Sequence, residues 1–195
     1  MTTLNEAIKN PITIGFDAKR AFFNSSGLGN YSRNLLSSFA KYYPENTYYL
    51  FTPKTKNRFV LANEEKFRLI APDLFLHKLV SPLWRSIYMT NDIARIKPEI
   101  FHGLSHELPL GIERTGVKSV ITVHDLIFMR FPEYYKWIDS KIYTRKLIKA
   151  CRISDRIIAI SNQTKEDLIS FLKVPPDKIS VIYQSCNPVF LNNFS

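Results

Sequence analysis

Short apolar runs rich in β-branched and aromatic residues alternate with longer amphipathic segments along this chain. Helical spacing of apolar residues predicts α-helices near residues 28–41, 82–96, 134–151 and 162–172. Seven runs predict β-strands, at residues 12–16, 47–52, 67–71, 99–102, 118–123, 156–160 and 179–183. Strands that are apolar on both faces and alternate with helices are typical of a parallel sheet covered on both sides. The pattern therefore predicts an α/β fold with a doubly wound, mostly parallel sheet of about seven strands.

Length and composition suit a single compact domain. The chain has 195 residues, of which 45% are hydrophobic, and this is enough to bury the core of one domain. The opening segment MTTLNEAIKNP lacks the apolar run of a signal peptide or membrane anchor. Cys151 and Cys186 are too few and too isolated for a disulfide framework or a zinc site. These features favour a protein of the reducing cytoplasm.

The net charge of +10 is the one extreme value in the composition. It suggests an anionic partner, which could be nucleic acid, an anionic bilayer surface or a phosphorylated substrate. A role in solubility explains the charge equally well. The sequence contains neither zinc-finger spacing nor an aromatic ribonucleoprotein signature, so nucleic acid is the least favoured partner.

Polar residues follow four of the predicted strands, where the carboxyl ends of parallel strands share one edge of the sheet. Each has an ordinary structural explanation: Ser161 suits a helix cap, and Asp17 can anchor the loop after its strand. Their convergence nevertheless favours a ligand site beyond the carboxyl ends. The candidates are Asp17, His102, His124, Asp125, Ser161 and Thr164.

A pair of glycines in the segment NSSGLGNYSRNLL, Gly27 and Gly29, opens the first predicted helix. Glycines at this position often let the backbone approach a phosphate. A nicotinamide dinucleotide site is disfavoured, because Ser32 stands where the third glycine belongs. The second strand also ends in LFTPK, without a carboxylate for the ribose.

Three segments together resemble the N-terminal half of a retaining glycosyltransferase of family 4, which has the GT-B fold. They are GFDAKRAFFNSSGLGNYSRNLL, ITVHDLIFMRFPE and SDRIIAISNQTKEDLISFLKVPPDKISVIYQ, and the similarity extends from about residue 12 to about residue 190. In such enzymes two Rossmann-like domains face each other across a cleft, and the N-terminal one mainly holds the acceptor. The resemblance implies a nucleotide-sugar donor, no cofactor and no metal, and the sequence has no Asp-x-Asp pair that would hold one.

The resemblance also implies roles for individual residues. His124 becomes the catalytic histidine near the reacting sugar, and the loop of Gly27, Gly29 and Tyr31 approaches the donor phosphates or the acceptor. The remaining candidates become substrate-binding residues: Asp17, His102, Asp125, Ser161 and Thr164. A structural cap remains the favoured explanation for the Ser161 and Thr164 pair.

The donor-binding half of this family would follow the last strand predicted here. Residues 1–187 are therefore expected to form the N-terminal domain and residues 188–195 the start of an interdomain linker. The implied activity is transfer of a hexosyl group, with mannosyl as one option, to a glycan or lipid-linked glycan in cell-surface polysaccharide biosynthesis. We expect the 195-residue chain to be inactive alone. The alternative is a non-catalytic sugar- or lipid-binding module or a regulatory subunit.

Two segments combine aromatic and basic residues in a way that suits peripheral contact with an anionic membrane. They are residues 74–89 and the stretch YTRKLIKACR, which places Lys146, Lys149 and Arg152 close together on a predicted helix. The inner face of the plasma membrane is the surface that such contact would use. The alternative is that Leu83, Trp84, Ile87 and Tyr88 form one buried helix face.

Overall fold

A seven-stranded parallel sheet forms the centre of the protein. The computed structural model describes residues 10–53, 64–72 and 84–185. The strands lie in the order β3-β2-β1-β4-β5-β6-β7, and every neighbouring pair is parallel. The predicted fold class is therefore confirmed. The strands are β1 (Thr13–Asp17), β2 (Thr47–Phe51), β3 (Phe67–Ile70), β4 (Ile100–Gly103), β5 (Lys118–Val123), β6 (Arg156–Ala159) and β7 (Ile179–Val181).

All four predicted helices are present, and residues 10–53, 64–72 and 84–185 contain two short helices in addition. The helices are α1 (Lys19–Phe23), α2 (Gly27–Tyr42), α3 (Met89–Ile96), α4 (Ile127–Arg130), α5 (Trp137–Ile153) and α6 (Asn162–Leu172). A π-helical segment, Trp84–Tyr88, leads into α3. Single 3₁₀ turns lie at Glu64–Lys66, Ile112–Arg114, Pro132–Tyr134 and Pro176–Lys178. The short helices α1 and α4 escaped prediction because one turn of helix has no measurable periodicity.

The order of the strands creates a crevice at the carboxyl edge of the sheet. The chain begins at β1 and builds β2 and β3 on one side, and then crosses back to build β4 to β7 on the other. β1 and β4 pair in register from Ile14 with Ile100 to Phe16 with His102. At this switch point the connections after β1 and β4 leave in opposite directions. Open α/β sheets bind their ligands in the crevice at such a point.

Apolar side chains on both faces of the sheet hold the connections in place. α2 buries Leu36 against Phe16 and Tyr48, and α5 buries Leu147 against Ile121. Each fully buried side chain of this size contributes about 1.5 to 3 kcal/mol relative to an exposed one. The rigid sheet therefore fixes the residues at the ends of β1, β4 and β5.

Only part of the proposed interfacial segment 74–89 can be described. Residues 74–83 lie outside the described residues. In the remainder, Ile87 is exposed and Tyr88 is half-buried, so the alternative of one fully buried face does not hold at Ile87. Among the helices described here, no helix combines the length and the apolar character that crossing a membrane requires.

Candidate functional site

The glycine loop is held by contacts within the domain. The side-chain oxygen of Asn24 accepts hydrogen bonds from the backbone N–H groups of Ser26 (2.8 Å) and Gly29 (3.2 Å). Arg33 Nη1 donates to the carbonyl oxygen of Asn24 at 2.9 Å. A Cβ on Gly29 would lie 1.8 Å from that same carbonyl oxygen. Glycine is therefore required at position 29 by the packing of the loop itself.

Gly27 differs from Gly29, because no neighbouring atom of the domain requires a glycine at this position. A Cβ at position 27 would meet no atom within 4 Å. Its φ is also not positive: within the described part of the chain, the glycines with positive φ are Gly111 and Gly116. Gly27 thus leaves open space beside the start of α2.

His124 follows β5 directly and is buried, with both ring nitrogens hydrogen-bonded. Nε2 lies 3.1 Å from the carbonyl oxygen of Leu104, which can only accept, so Nε2 carries the proton. Nδ1 then accepts from the side-chain amide of Gln184 at 2.9 Å. The ring of Tyr31 packs edge-on against the imidazole, with ring centroids 4.8 Å apart. This contact places Tyr31, in the second turn of α2, beside His124 at the carboxyl edge of the sheet.

A second buried network lies beneath His124. The hydroxyl of Thr122 is 3.0 Å from the Tyr31 hydroxyl and 2.9 Å from His102 Nε2. Thr122 could not be identified from the sequence, because it lies inside β5 and belongs to no recognisable motif. The network joins α2, β4 and β5 and holds the tyrosine ring against the catalytic candidate.

The groups of this network are uncharged at neutral pH. Burial, with a smaller contribution from nearby His124, lowers the pKa of His102 to about 4. Burial also lowers the pKa of His124, although the Leu104 carbonyl and Asp125 oppose the shift. Burial raises the pKa of Tyr31 against the effect of its bond to Thr122. A neutral imidazole with its proton on Nε2 can accept a hydrogen bond at Nδ1.

Asp17 ends β1 as predicted, but its carboxylate is already paired. Arg85 donates from Nε to Asp17 Oδ2 at 2.8 Å, and its Nη1 pairs with Glu107. Glu107 also pairs with Lys146 at 3.1 Å. Burial opposes ionisation of Glu107, but Arg85 and Lys146 outweigh it and lower the pKa of this carboxyl to about 2. These four residues line a cavity of about 160 Å³ at the carboxyl edge.

Ser161 and Thr164 have the structural role that the sequence favoured for them. Ser161 Oγ accepts from the Thr164 N–H at 3.1 Å and caps α6. The Thr164 hydroxyl donates to the backbone carbonyl of His124 at 3.0 Å and so steadies the residue after β5. Asp125 is exposed, and its carboxylate accepts from the Ile127 N–H at 3.2 Å.

Basic side chains give the crevice a positive field. Burial, together with the charges of nearby Arg85 and Arg20, lowers the pKa of Lys19, which follows β1. Such a cluster attracts anions, including the phosphates of a nucleotide. The described residues include no group of three or more histidine, cysteine or acidic side chains placed to bind a metal ion.

The lowered pKa of His102 predicts that the stability of the domain depends on pH. The pKa of His102 is about 4 in the folded domain and 6.5 for an ordinary histidine. Between pH 4 and pH 6.5 this histidine is therefore protonated in the unfolded chain and neutral in the folded domain. The contribution of His102 to the free energy of unfolding is therefore fully present above pH 6.5. As the pH falls from there towards 4, His102 alone lowers the free energy of unfolding by about 1.4 kcal/mol per pH unit. Urea unfolding across this range measures the slope. His102→Gln should flatten it, and an unchanged slope in that variant would contradict the prediction.

The fold and the site define a Rossmann-like domain with a histidine-centred crevice at its switch point. Residues 25–188 match the family described as Glycosyltransferase Family 4, and the chain belongs to this family. No curated protein matches the sequence.

Several solved structures share the fold at low sequence identity. HepE of Anabaena, determined with UDP and glucose, is 14% identical with a TM-score of 0.54, over 90% of this chain and 45% of that one. A glycosyltransferase from Rickettsia africae is 16% identical with a TM-score of 0.54, over 95% and 47%. The wall teichoic acid polymerase TagF is 17% identical with a TM-score of 0.58, over 94% and 41%. The chain spans less than half of the length of each of these three proteins.

Proposed function

We propose that this chain is the N-terminal, acceptor-side domain of a retaining glycosyltransferase. The whole enzyme would move a hexosyl group, with mannosyl as the first to test, from a nucleotide sugar to a glycan or lipid-linked glycan. We place this reaction in cell-surface polysaccharide biosynthesis at the cytoplasmic side of the membrane. Membership of glycosyltransferase family 4 supports the reaction class. The UDP and glucose in the HepE structure illustrate the ligands that one neighbour of this fold takes.

The observation that carries the proposal is the state of His124. Its proton is held on Nε2 by the buried Leu104 carbonyl, which leaves Nδ1 as an acceptor at the carboxyl edge. The present partner of Nδ1, Gln184, is exposed and can be displaced at little cost. A sugar hydroxyl that donates to Nδ1 would take the place of the Gln184 amide. In this role His124 positions the hydroxyl and stabilises charge that develops during transfer.

The positive crevice supports a phosphate-bearing donor. Lys19 and Arg20 follow β1 immediately, and Gly27 leaves open space at the start of α2. The N-terminus of a helix carries partial positive charge and favours an anion nearby. We infer that the donor diphosphate or an anionic acceptor lies over this end of α2. The residues that bind the nucleotide base and ribose would belong to a second, C-terminal domain of the whole protein.

The direct test compares the 195-residue chain with the whole protein. Both are incubated with a panel of sugar nucleotides and an acceptor extract, and products are identified by mass spectrometry. We expect transfer by the whole protein only, because positioning the donor in line with the acceptor supplies much of the rate. The 195-residue chain should still unfold cooperatively in urea.

Two outcomes would contradict the proposal. Comparable turnover by the 195-residue chain would exclude the two-domain mechanism. If the whole protein binds sugars but transfers none from any donor of the panel, the result would favour a non-catalytic binding module.

A further inference from the structure

A buried threonine hydroxyl joins Tyr31 of α2 to His102 of β4. Thr122 has no exposed surface, and its hydroxyl lies 3.0 Å from the Tyr31 hydroxyl and 2.9 Å from His102 Nε2. A threonine hydroxyl carries one proton, so it donates to one of these neighbours and accepts from the other. All three groups are therefore hydrogen-bonded, although Thr122 has no contact with solvent.

The position of Thr122 does not need a polar group for packing. Burying a hydroxyl is unfavourable unless it is hydrogen-bonded, and a valine of nearly the same shape would fill the same space. The Phe16 ring, whose centroid is 5.8 Å from that of His102, shows that apolar side chains pack beside the network. Hydrogen bonds add a fixed direction that apolar contacts lack, and a fully paired buried network makes the groups that it joins rigid.

The group that this network orients is the Tyr31 ring. Its centroid lies 4.8 Å from that of the His124 imidazole, and the two planes are at 87° to each other. Because the phenol oxygen is held at Thr122, the ring cannot swing away from the imidazole without breaking that bond. His124 is held in addition at Nε2, 3.1 Å from the Leu104 carbonyl oxygen. The remaining nitrogen, Nδ1, is the one whose partner, Gln184, is exposed.

We propose that Thr122 is a positioning residue for sugar transfer. Its hydroxyl fixes the Tyr31 ring, and the ring holds the His124 imidazole with Nδ1 towards the sugar hydroxyl. The inference rests on the proposed function, because it requires His124 to act in transfer. Tyr31 and His102 would then act through His124 rather than by touching the substrate, and His102 is only 5% exposed. Misplacement of a reacting group by about 1 Å can lower turnover about a hundredfold.

Thr122→Val should lower the kcat of the whole protein about ten- to a hundredfold and leave the KM for the donor nearly unchanged. Valine has the shape of threonine, but it leaves the Tyr31 hydroxyl without its buried partner. The phenol then turns towards solvent, and its ring leaves the imidazole. Thr122→Ser keeps the hydroxyl and should retain most of kcat, although the lost methyl group lowers its stability.

Tyr31→Phe gives a sharper comparison, because phenylalanine has no hydroxyl that needs a partner. Its ring can stay against His124, so kcat should fall less than in Thr122→Val. The double variant with Tyr31→Phe and Thr122→Val should turn over faster than Thr122→Val alone, since it no longer contains an unpaired phenol. If the two losses were independent, the double variant would instead be the slowest of the three.

Ser119→Ala is the matched control, because it removes another buried hydroxyl from the same strand. Ser119 is 2% exposed and lies near the start of β5, where its hydroxyl pairs with Asp155 at 3.1 Å. This variant should lose stability but keep its kcat. Turnover of every variant is measured at a temperature at which circular dichroism shows it to be folded.

Nitrogen-15 NMR of the imidazole rings tests the positioning in the 195-residue chain without any transfer assay. The sequence has four histidines, and the signals that disappear in His124→Ala are those of His124. At neutral pH its Nε2 should have the shift of a protonated nitrogen and its Nδ1 that of an acceptor. Thr122→Val should move both shifts towards each other, because a ring that is no longer held exchanges between tautomers. Tyr31→Phe and Ser119→Ala should keep the original pattern.

Three results would overturn the role of Thr122. They are a normal kcat in Thr122→Val, unchanged His124 signals in that variant, or a Thr122→Ser variant that is as slow as Thr122→Val. An equal loss of kcat in Ser119→Ala would assign the effect to stability instead and also overturn the role. The proposed function fails in a different way, namely if the unsubstituted whole protein transfers no sugar from any donor of the panel. A failure confined to the variants overturns only the role of Thr122.

Discussion

Gly29→Ala will destabilise the domain by about 3 kcal/mol or more in urea unfolding of the 195-residue chain. The added Cβ would lie 1.8 Å from the carbonyl oxygen of Asn24 and 2.7 Å from its carbonyl carbon. These are backbone atoms that cannot rotate away, and Arg33 also binds that carbonyl oxygen. Relief therefore requires the loop between α1 and α2 to move, which breaks the hydrogen bond that the Gly29 N–H donates to Asn24 Oδ1.

Gly27→Ala is the matched control, because the two glycines share one helical turn. With no atom within 4 Å of the new Cβ, the change should leave stability unchanged or raise it by up to about 1 kcal/mol. In the whole protein the same variant should lower donor or acceptor binding if the proposed phosphate contact exists. Equal destabilisation by both alanines would show that the close approach at Gly29 is not the cause.

His124→Ala in the whole protein should lower turnover about a hundredfold or more. The substitution removes the Nδ1 acceptor that the proposed sugar hydroxyl uses. It also leaves the buried Leu104 carbonyl without its donor, so a loss of about 1 to 3 kcal/mol in stability accompanies it. The thermal midpoint of the variant should therefore fall together with its turnover.

Activity is therefore measured at a temperature where the variant is fully folded by circular dichroism. His106→Ala is the control, since this neighbouring histidine also has a pKa lowered by burial but its ring packs near that of Phe128, with ring centroids 6.4 Å apart. The His106→Ala variant should keep most of the turnover of the unsubstituted whole protein. Near-normal turnover in His124→Ala, or an equal loss in both variants, would remove His124 from the catalytic role.

Residues whose partners lie close in sequence could be assigned before the structure. The cap of α6 is an example, because Ser161 and Thr164 are three positions apart and the pattern of a helix start is local. The same is true of His124 at the end of β5, since an apolar run followed by polar residues predicts where a buried strand ends. Its role in transfer remains a prediction.

Residues whose partners are distant in sequence could not be assigned in this way. Arg85 reaches Asp17 across 68 positions, and Gln184 reaches His124 across 60. Nothing in the neighbourhood of Arg85 or Gln184 marks either residue, because each contact exists only once the strands are ordered. The two glycines make the same point, since one motif contains a position fixed by packing and a position open to solvent.

The sequence by itself determined the seven strands, the principal helices, the parallel sheet and the edge at which the candidate site lies. It could do so because strand and helix periodicities are local and the carboxyl ends of parallel strands meet at one edge. Only the tertiary structure decided the tautomer of His124, the pairing of Asp17 with Arg85 and the exposure of the first turns of α5. These depend on distances between segments far apart in the chain, and burial and charge pairing are properties of that arrangement rather than of any one segment.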